Sequence, residues 1–387
     1  MNNRNNPNQL PEKVYEFSAV LNAEVVQELA QEIKAVWPPF EAQQFHQTTR
    51  AALEGKAIKE RSQWVAEQLY RHLPQSFAQA GTILIQALGP PLKTTTGEHT
   101  SAFRYMPYGA YVSQYGLAED DLELALQLMY EVTSRFTAEF AIRPFLKKYP
   151  QQLLSYLQRW VKDENVHVRR LVSEGTRPRL PWGARVTVFD ANYQPILDLL
   201  SQLYQDPDLY VRRSVANHLN DLTKDRPAMV IQLLQQWQKE GSSEQLDWVI
   251  KHSLRTLIKA GDPTALALIG YGQQPQVAIE NFEVAQAALP LGQQQRFSFE
   301  LVSTSDEVQE LLLDYTVYFM KANGAQKPKV FKLKTLTLGA KERVRFNKKH
   351  WFKHFSTRRL YAGAHQIQLQ INGQVMAKIA FELVFPT

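Results

Sequence analysis

No cysteine occurs in the 387 residues of this chain. Disulfides, thiolate metal sites and cysteine nucleophiles are therefore excluded, and the composition fits the cytoplasm. No apolar run reaches the length of a membrane span, so no membrane partner is expected. Most short catalytic signatures are missing as well. There is no phosphate-binding loop, and Gly270-Tyr-Gly272 lacks both a third glycine and a preceding strand, so it is no dinucleotide fingerprint. No histidine pair has the helical spacing of metal ligands, and there is no Gly-x-Ser-x-Gly elbow. Neither a metal nor another cofactor is expected. Met1 to Gln9 is rich in asparagine without an apolar segment; we expect no secretory signal there and disorder over residues 1–11.

Acidic residues are scarce at the other end. Residues 291–387 hold 15 lysines and arginines against 7 acids, while the remainder is nearly balanced. Between Lys327 and Arg359 there are 12 basic residues and a single acid, Glu342. So basic a segment suggests a polyanion such as nucleic acid as partner, with a merely solvated face as the plain alternative. Apolar residues make up 44% and charged residues 21%, values of a globular protein long enough for two or three domains.

What is present is a repeat. Asp163-Glu-Asn-Val-His-Val-Arg-Arg-Leu-Val172 recurs as Asp206-Pro-Asp-Leu-Tyr-Val-Arg-Arg-Ser-Val215, at an offset of 43 residues. A weaker copy, Val249-Ile-Lys-His-Ser-Leu254, follows at an offset of 39, with Lys251 and His252 in place of the two arginines. An acid-led turn before a second helix at this period reads as a two-helix HEAT-type repeat, whose length is roughly 40–47 residues. Helical periodicity covers Ala23–Val36, Lys59–Leu73, Glu119–Phe136, Pro150–Lys162, Tyr193–Leu203, Pro227–Lys239 and Glu244–Lys259. Breakers such as Pro38-Pro39, Gly89-Pro90-Pro91 and Gly261-Asp262-Pro263 separate these segments.

After Gln276 the period changes to two. Arg296-Phe-Ser-Phe-Glu-Leu301, Asp314–Phe319, Val330–Leu336 and Gln366–Ile371 alternate apolar and polar residues, and Asn372-Gly373 turns into a last strand. The expected fold is mainly α: a HEAT-like α-solenoid over residues 12–280, then a small immunoglobulin-like antiparallel β-sandwich of six or seven strands over 288–387. A monomer is expected.

Three acids stand out by their neighbours. Glu139 and Arg143 stand at i,i+4, as do Arg170 and Glu174, so each pair shares a helix face; Asp221 ends the helix after the second Arg-Arg pair. Taken singly, the pairs read as surface ion pairs. On stacked repeats Glu174 and Asp221, which follow the Arg-Arg pairs of consecutive repeats, would instead converge on one side. Trp182, in the loop Arg177-Pro-Arg-Leu-Pro-Trp-Gly183, is either an aromatic packing that loop or a flat wall for a base or sugar. His167 and Tyr210 hold the same repeat position and read as core or edge residues.

These segments resemble the AlkC family of bacterial DNA alkylation-repair glycosylases, relatives of the AlkD helical-repeat glycosylases. The resemblance is carried by Glu139-Phe-Ala-Ile-Arg-Pro-Phe145, by Val166 through Gly183, by Tyr210 through Asp221 and by Trp248 through Leu254, within residues 12–275. One branch of that family also has a C-terminal immunoglobulin-like domain. The resemblance implies hydrolysis of the N-glycosidic bond of cationic lesions, 3-methyladenine and 3-methylcytosine, in alkylated double-stranded DNA, without extruding the base into a deep pocket. It implies that Glu139, Glu174 and Asp221 form the acidic cluster, that Trp182 is the aromatic wall, and that Arg170 stands near the phosphates. A fixed carboxylate there would stabilise the positive charge of the departing base and of the sugar, and orient water. Of the three acids we favour Glu174. Arg143, Arg169, Arg170, Arg212, Arg213 and Lys251, with Arg343, Arg345, Lys348 and Lys349 of the basic segment, are expected to contact phosphates, although adjacent arginines on a helix cannot both face DNA squarely. The competing expectations are a nucleic-acid-binding HEAT protein without catalysis and a protein-binding scaffold.

Overall fold

In the computed structural model, residues 18–95, 100–355 and 358–385 are described. The segment expected to be disordered, residues 1–11, lies outside them. The chain forms two compact units, one ending at Asp221 and the other starting at Leu222.

The first unit is helical: α1 (Ala23–Val36), α2 (Ala42–Arg50), α3 (Ile58–His72), α4 (Phe77–Gln86), α5 (Met106–Tyr115), α6 (Leu122–Thr133), α7 (Ile142–Lys148), α8 (Pro150–Trp160), α9 (Val166–Gly175), α10 (Gln194–Leu203) and α11 (Leu209–Leu222), whose last residue opens the second unit. A short 3-10 turn, Thr100–Tyr105, precedes α5. In α1 the Asn22 side chain accepts a hydrogen bond from the Val25 amide, Glu24 and Lys34 sit at the ends that suit their charges, and Val26, Leu29, Ala30 and Ile33 form the buried face. Proline starts α8 and α10, where its missing N–H costs nothing. The helices α2, α4 and α5 fall outside the segments expected: α2 is short and mostly polar, α4 carries Gly81, and α5 carries Pro107 and Gly109.

The repeat has a precise local cause. Asp163 Oδ1 accepts from the Asn165 amide at 2.8 Å, and Asn165 Oδ1 from the His167 amide at 2.9 Å. The second copy repeats the ladder, with Asp206 Oδ1 accepting from the Asp208 amide at 2.9 Å and Asp208 Oδ1 from the Tyr210 amide at 2.8 Å. Each acid-led turn thus satisfies the open amides at the start of its second helix. Asp206 also receives Arg169 of the preceding repeat through Nε at 2.6 Å and Nη2 at 3.2 Å. The acid that caps one repeat therefore stitches it to the one before.

The second unit begins with α12 (Pro227–Glu240), α13 (Glu244–Ser253), α14 (Arg255–Ala260) and α15 (Pro263–Leu268). The helix expected over Glu244–Lys259 breaks at Leu254, where ψ moves to 2°. Then come β1 (Val277–Val284), β2 (Ala288–Pro290), β3 (Gln294–Ser303), β4 (Gln309–Met320), β5 (Gln326–Leu338), β6 (Arg343–Trp351), β7 (Gly363–Ile371) and β8 (Gln374–Val384). They form two sheets, ordered β1-β3-β6 and β2-β8-β7-β4-β5. The inner faces pack Phe297, Phe299, Leu301, Val317, Phe352 and Ile367 into one core. Two details depart from the expectation. β1 starts at Val277, ahead of the boundary expected at 288; a register shift between Glu280 and Glu283, with Asn281 at φ 51°, hides its alternation. And the sandwich is not wholly antiparallel, because β2 runs parallel to β8 at the sheet edge, where Pro290 is tolerated.

The β7–β8 turn is also a joint. Asn372 and Gly373 both have positive φ, 46° and 76°, as a tight hairpin requires. A Cβ on Gly373 would come within 2.6 Å of a Leu266 methyl, and one on Gly261 within 2.7 Å of the Gly373 carbonyl oxygen. The Asn372 side chain accepts from the Leu312 amide at 2.9 Å and donates to the Gln273 carbonyl at 3.2 Å. The last helices and the sandwich are thereby locked by backbone contact. No helix among the described residues is long and apolar enough to cross a membrane.

Candidate active site

The three acids do converge, linked by two arginines. Glu139, in the turn before α7, takes Arg170 Nη1 at 2.6 Å on Oε2, which also accepts from Thr137 Oγ1 at 2.8 Å. Arg170, on α9, reaches Glu174 Oε1 with Nη2 at 3.4 Å. Arg177 Nη1 meets the same oxygen at 2.7 Å and spans on to Asp221 Oδ2 on α11, with Nη2 at 2.8 Å and Nε at 2.9 Å. The order Glu139, Arg170, Glu174, Arg177, Asp221 alternates charge across two consecutive repeats. Ser214 Oγ donates to Glu174 Oε2 at 2.5 Å, so both oxygens of that buried carboxylate are held. Burial alone would raise the Glu174 pKa; Arg170, Arg177 and the Ser214 hydrogen bond outweigh it and keep the pKa below the usual carboxylate value. The carboxylate is therefore fixed and ionised. Glu139 is held through Oε2 and lines a cleft of about 530 Å³ together with Phe103, Phe136, Thr137, Arg170 and Tyr210. The Arg170 guanidinium lies 5.2 Å from the Tyr210 ring centroid, within cation–π range.

Beneath the chain lies His218 of α11, fully buried. Its Nδ1 donates to the Ser173 carbonyl at 2.9 Å, which leaves Nε2 to accept from the Tyr193 hydroxyl at 2.8 Å. Burial pushes the His218 pKa down to about 4, so the ring is neutral.

Trp182 stands in the loop after α9, 67% exposed, with φ at 63°. The left-handed region costs a residue with a Cβ about 1–2 kcal/mol, so the loop must be held from elsewhere. Arg143 does this. Its guanidinium donates to the Gly175 carbonyl at 3.0 Å, to the Arg177 carbonyl at 2.9 Å and, through Nε, to the Ala184 carbonyl at 2.8 Å. Burial lowers the Arg143 pKa to about 10. A Cβ on Gly183 would sit 3.3 Å from Arg143 Nε and 3.2 Å from Leu180, so the chain passes the arginine closely because it is glycine. Trp182 walls a second cleft of about 520 Å³ with Phe140, Pro144, Lys147 and Val188. A third, of about 200 Å³, shares Phe136 and Thr137 with the first cleft and Lys59 and Phe140 with the second. Glu139 and the indole thus line clefts that share wall residues with a third, while Glu174 and Asp221 are buried.

The cations expected at phosphates divide into two groups. Arg143 is consumed by loop carbonyls. Arg169 is taken by Asp206 and by the carbonyls of Asp163 and Glu164, both at 2.9 Å. Arg212 curls back onto the carbonyls of Asp206 at 2.6 Å and Pro207 at 2.9 Å. Arg170 belongs to the acid chain. Arg343 pairs with Glu280 at 2.6 Å and with Glu300. In each case a nearer acceptor inside the protein has taken the guanidinium. Arg213, Lys251, Arg345 and Lys349 are exposed. Lys348 and Lys349 line a cleft of about 450 Å³ with Arg296, Ser298 and Asn347. Lys349 lies directly opposite Arg296 across β3 and β6, a like-charge pair that favours an anionic partner.

Sequence reasoning missed Arg177, Ser214 and Lys59 as functional residues. Arg177 had a signal, since it follows Glu174 by three residues and faces the next repeat. Ser214 adjoins the second Arg-Arg pair without marking its role. Lys59 had none, being 123 residues from its partner Trp182.

The comparisons with known proteins agree with this geometry. The family of DNA alkylation repair enzymes matches residues 109–255, and the C-terminal Ig-like domain of the uncharacterised protein YhaZ matches 278–385. YhaZ of Bacillus subtilis (strain 168), described as an uncharacterized protein, is 34% identical over 95% of this chain and 99% of its own. The solved structure of Pseudomonas fluorescens alkylpurine DNA glycosylase AlkC, bound to DNA containing an abasic site analog, superposes with a TM-score of 0.87 and 36% identity, over 95% of this chain and 99% of that one. A helical region matched by DNA alkylation repair enzymes, followed by an immunoglobulin-like sandwich, defines a DNA alkylation repair protein. The chain belongs to the AlkC family, in the branch that carries the C-terminal immunoglobulin-like domain.

Proposed function

We propose that this protein is a DNA glycosylase that hydrolyses the N-glycosidic bond of cationic alkylated bases, 3-methyladenine and 3-methylcytosine, in duplex DNA, without drawing the base into a deep pocket. The observation that carries it is the alternating chain from Glu139 to Asp221 beside an exposed indole. An N3-alkylated base already carries positive charge, so breaking its bond to C1′ leaves the base neutral and moves the positive charge onto the sugar. Carboxylates fixed before the reaction stabilise that sugar without reorganising. Water adds to C1′ and gives its proton to a carboxylate. Sequence reasoning favoured Glu174; its burial and its two arginines suit it to supplying the field. Glu139, at the cleft, is placed to meet water. Asp221 supports Glu174 through Arg177. Trp182 offers its face to the cationic sugar or base, worth roughly 0.5–2 kcal/mol.

Arg213 and Lys251 on the helices, with Arg345, Lys348 and Lys349 on the sandwich, contact backbone phosphates, the sandwich acting as a clamp. The test is release of 3-methyladenine and 3-methylcytosine from defined duplexes without added metal, by the wild type and by Glu139→Gln, Glu174→Gln and Asp221→Asn. Loss of one preorganised group costs about 10²–10³ in rate in comparable sites. Base release at the wild-type rate by all three variants would overturn the assignment. Tight DNA binding with no base release by the wild type would favour the non-catalytic reading.

A further inference from the structure

Lys59, near the start of α3, is absent from every motif that carries the family resemblance. Yet its ammonium donates to the Trp182 carbonyl, across 123 residues of sequence. The same nitrogen lies 4.6 Å from the centroid of the Phe140 ring. It borders both the 200 Å³ cleft and the 520 Å³ cleft walled by Trp182. Burial lowers its pKa, and the Glu139 carboxylate works against that shift, so the charge is held between an aromatic face, an acid and a carbonyl.

The Trp182 loop is thus gripped at two points by cations from different helices. Arg143 holds the carbonyls of residues 175, 177 and 184, on either side of the turn. Lys59 reaches the carbonyl of Trp182 itself, at the residue whose φ is left-handed. Relaxing φ at Trp182 means turning about its N–Cα bond, which swings the Trp182 carbonyl away from the preceding chain and would break this contact. The indole is joined to the same Cα. A lysine that pins the carbonyl therefore sets the direction of the ring.

We propose that Lys59 is a positioning residue for Trp182, tying its carbonyl to α3 and so fixing where the indole stands in the wall of the 520 Å³ cleft. This rests on the reading of Trp182 as a wall of the glycosylase site. Lys59 acts in the free protein, before DNA arrives, and touches neither lesion nor phosphate in that role.

The test compares Lys59→Met, which keeps the stem and removes the donor, with Lys59→Arg, which keeps both charge and donor. The first readout needs no activity. Acrylamide quenching of tryptophan emission is measured in the free protein, and the Trp182 share is taken as the difference from Trp182→Phe. Lys59→Met should change that share and Lys59→Arg should restore it. The second readout is single-turnover release of 3-methyladenine at saturating DNA, where Lys59→Met should be about ten-fold slower. In a Trp182→Ala background the same substitution should have no further effect, whereas a merely structural role would add to it. The third is the salt dependence of DNA binding, which should keep its slope. A slope reduced by about one would make Lys59 a phosphate ligand and overturn the proposal. Unchanged quenching in the free protein would overturn it too. Should Lys59→Met fail to fold, Lys59→Gln, which retains a donor without charge, should give quenching between the two. If the wild type released no base, the glycosylase assignment would fall while the quenching result still judged the tie between Lys59 and Trp182.

Discussion

Arg177 is the residue whose loss the rest of the acid chain can least absorb. It contacts Glu174 at 2.7 Å and Asp221 at 2.8 and 2.9 Å, and the three side chains are 8%, 7% and 5% exposed. Replacing it with methionine would keep most of the volume and take from Glu174 and Asp221 the buried cation they share at neutral pH. Removing one partner of a buried pair costs about 3–5 kcal/mol; Glu174 keeps Arg170 and Ser214, so the total should stay in that range. The sign of the pH effect follows from the acids. In the wild type Glu174 has a lowered pKa, so its contribution is present above the unfolded carboxylate value and is lost as pH falls through the folded one. In Arg177→Met that pKa should rise, and a carboxyl protonated in the dry interior no longer opposes folding. Urea unfolding followed by far-ultraviolet circular dichroism, which reads the helices, should therefore show a large deficit at pH 7.5 that narrows at pH 5. Adding Glu174→Gln and Asp221→Asn to the same chain should recover at least half of the deficit, since amides tolerate burial better than unpaired charges. A deficit below about 1 kcal/mol, or one that is equal at both pH values, would refute the claim that Arg177 neutralises these acids.

His218 should give an acid limb of its own. Its folded pKa of about 4 lies below the ordinary 6.5, so stability should decline as pH falls between those values, by about 3 kcal/mol in all. His218→Gln should flatten that decline in the helical transition, and an unaltered slope would mean another group is responsible. Gly183→Ala should slow base release by displacing Arg143 or Leu180, with a smaller effect on the thermal midpoint; a wild-type rate would show the close passage to be incidental. Arg345→Ala and Lys349→Ala should each lower the salt slope of DNA binding by about one and leave unfolding unchanged, whereas Arg343→Ala, which breaks pairs within the sheet, should leave the slope nearly intact.

The repeat made the frame legible. Asp-led turns at an offset of 43 residues predicted two second helices, and the same acids form the ladders that start α9 and α11. The meeting of Glu174 and Asp221 followed from the same spacing, whereas Glu139 joined them only through the family resemblance. Direction was harder to see. Arg143, Arg169 and Arg212 are as basic in sequence as Arg213, but each lies within reach of backbone carbonyls or an acid that the fold presents to it. Local sequence records that a charge is present and leaves its acceptor to tertiary structure. Lys59 shows the extreme, because its partner lies on a loop whose path depends on Arg143. In the sandwich, alternation revealed the strands with regular pleat, while the bulged β1 and the three-residue β2 carried too little period to register.

The lock between Gly261 and Gly373 has a practical consequence for dissecting this protein. A chain cut after Gly272 would lose more than the basic sandwich. It would bare Leu266 where the hairpin had covered it and leave the ends of α14 and α15 facing water, so weaker DNA binding by such a fragment could reflect frayed helices alone. Charge substitutions on β6 separate the two causes and deletion does not. The same contact limits exchange between relatives: a grafted sandwich would need an Asn-Gly hairpin at this turn, with no side chain on the glycine, before it could seat against the last helices at all.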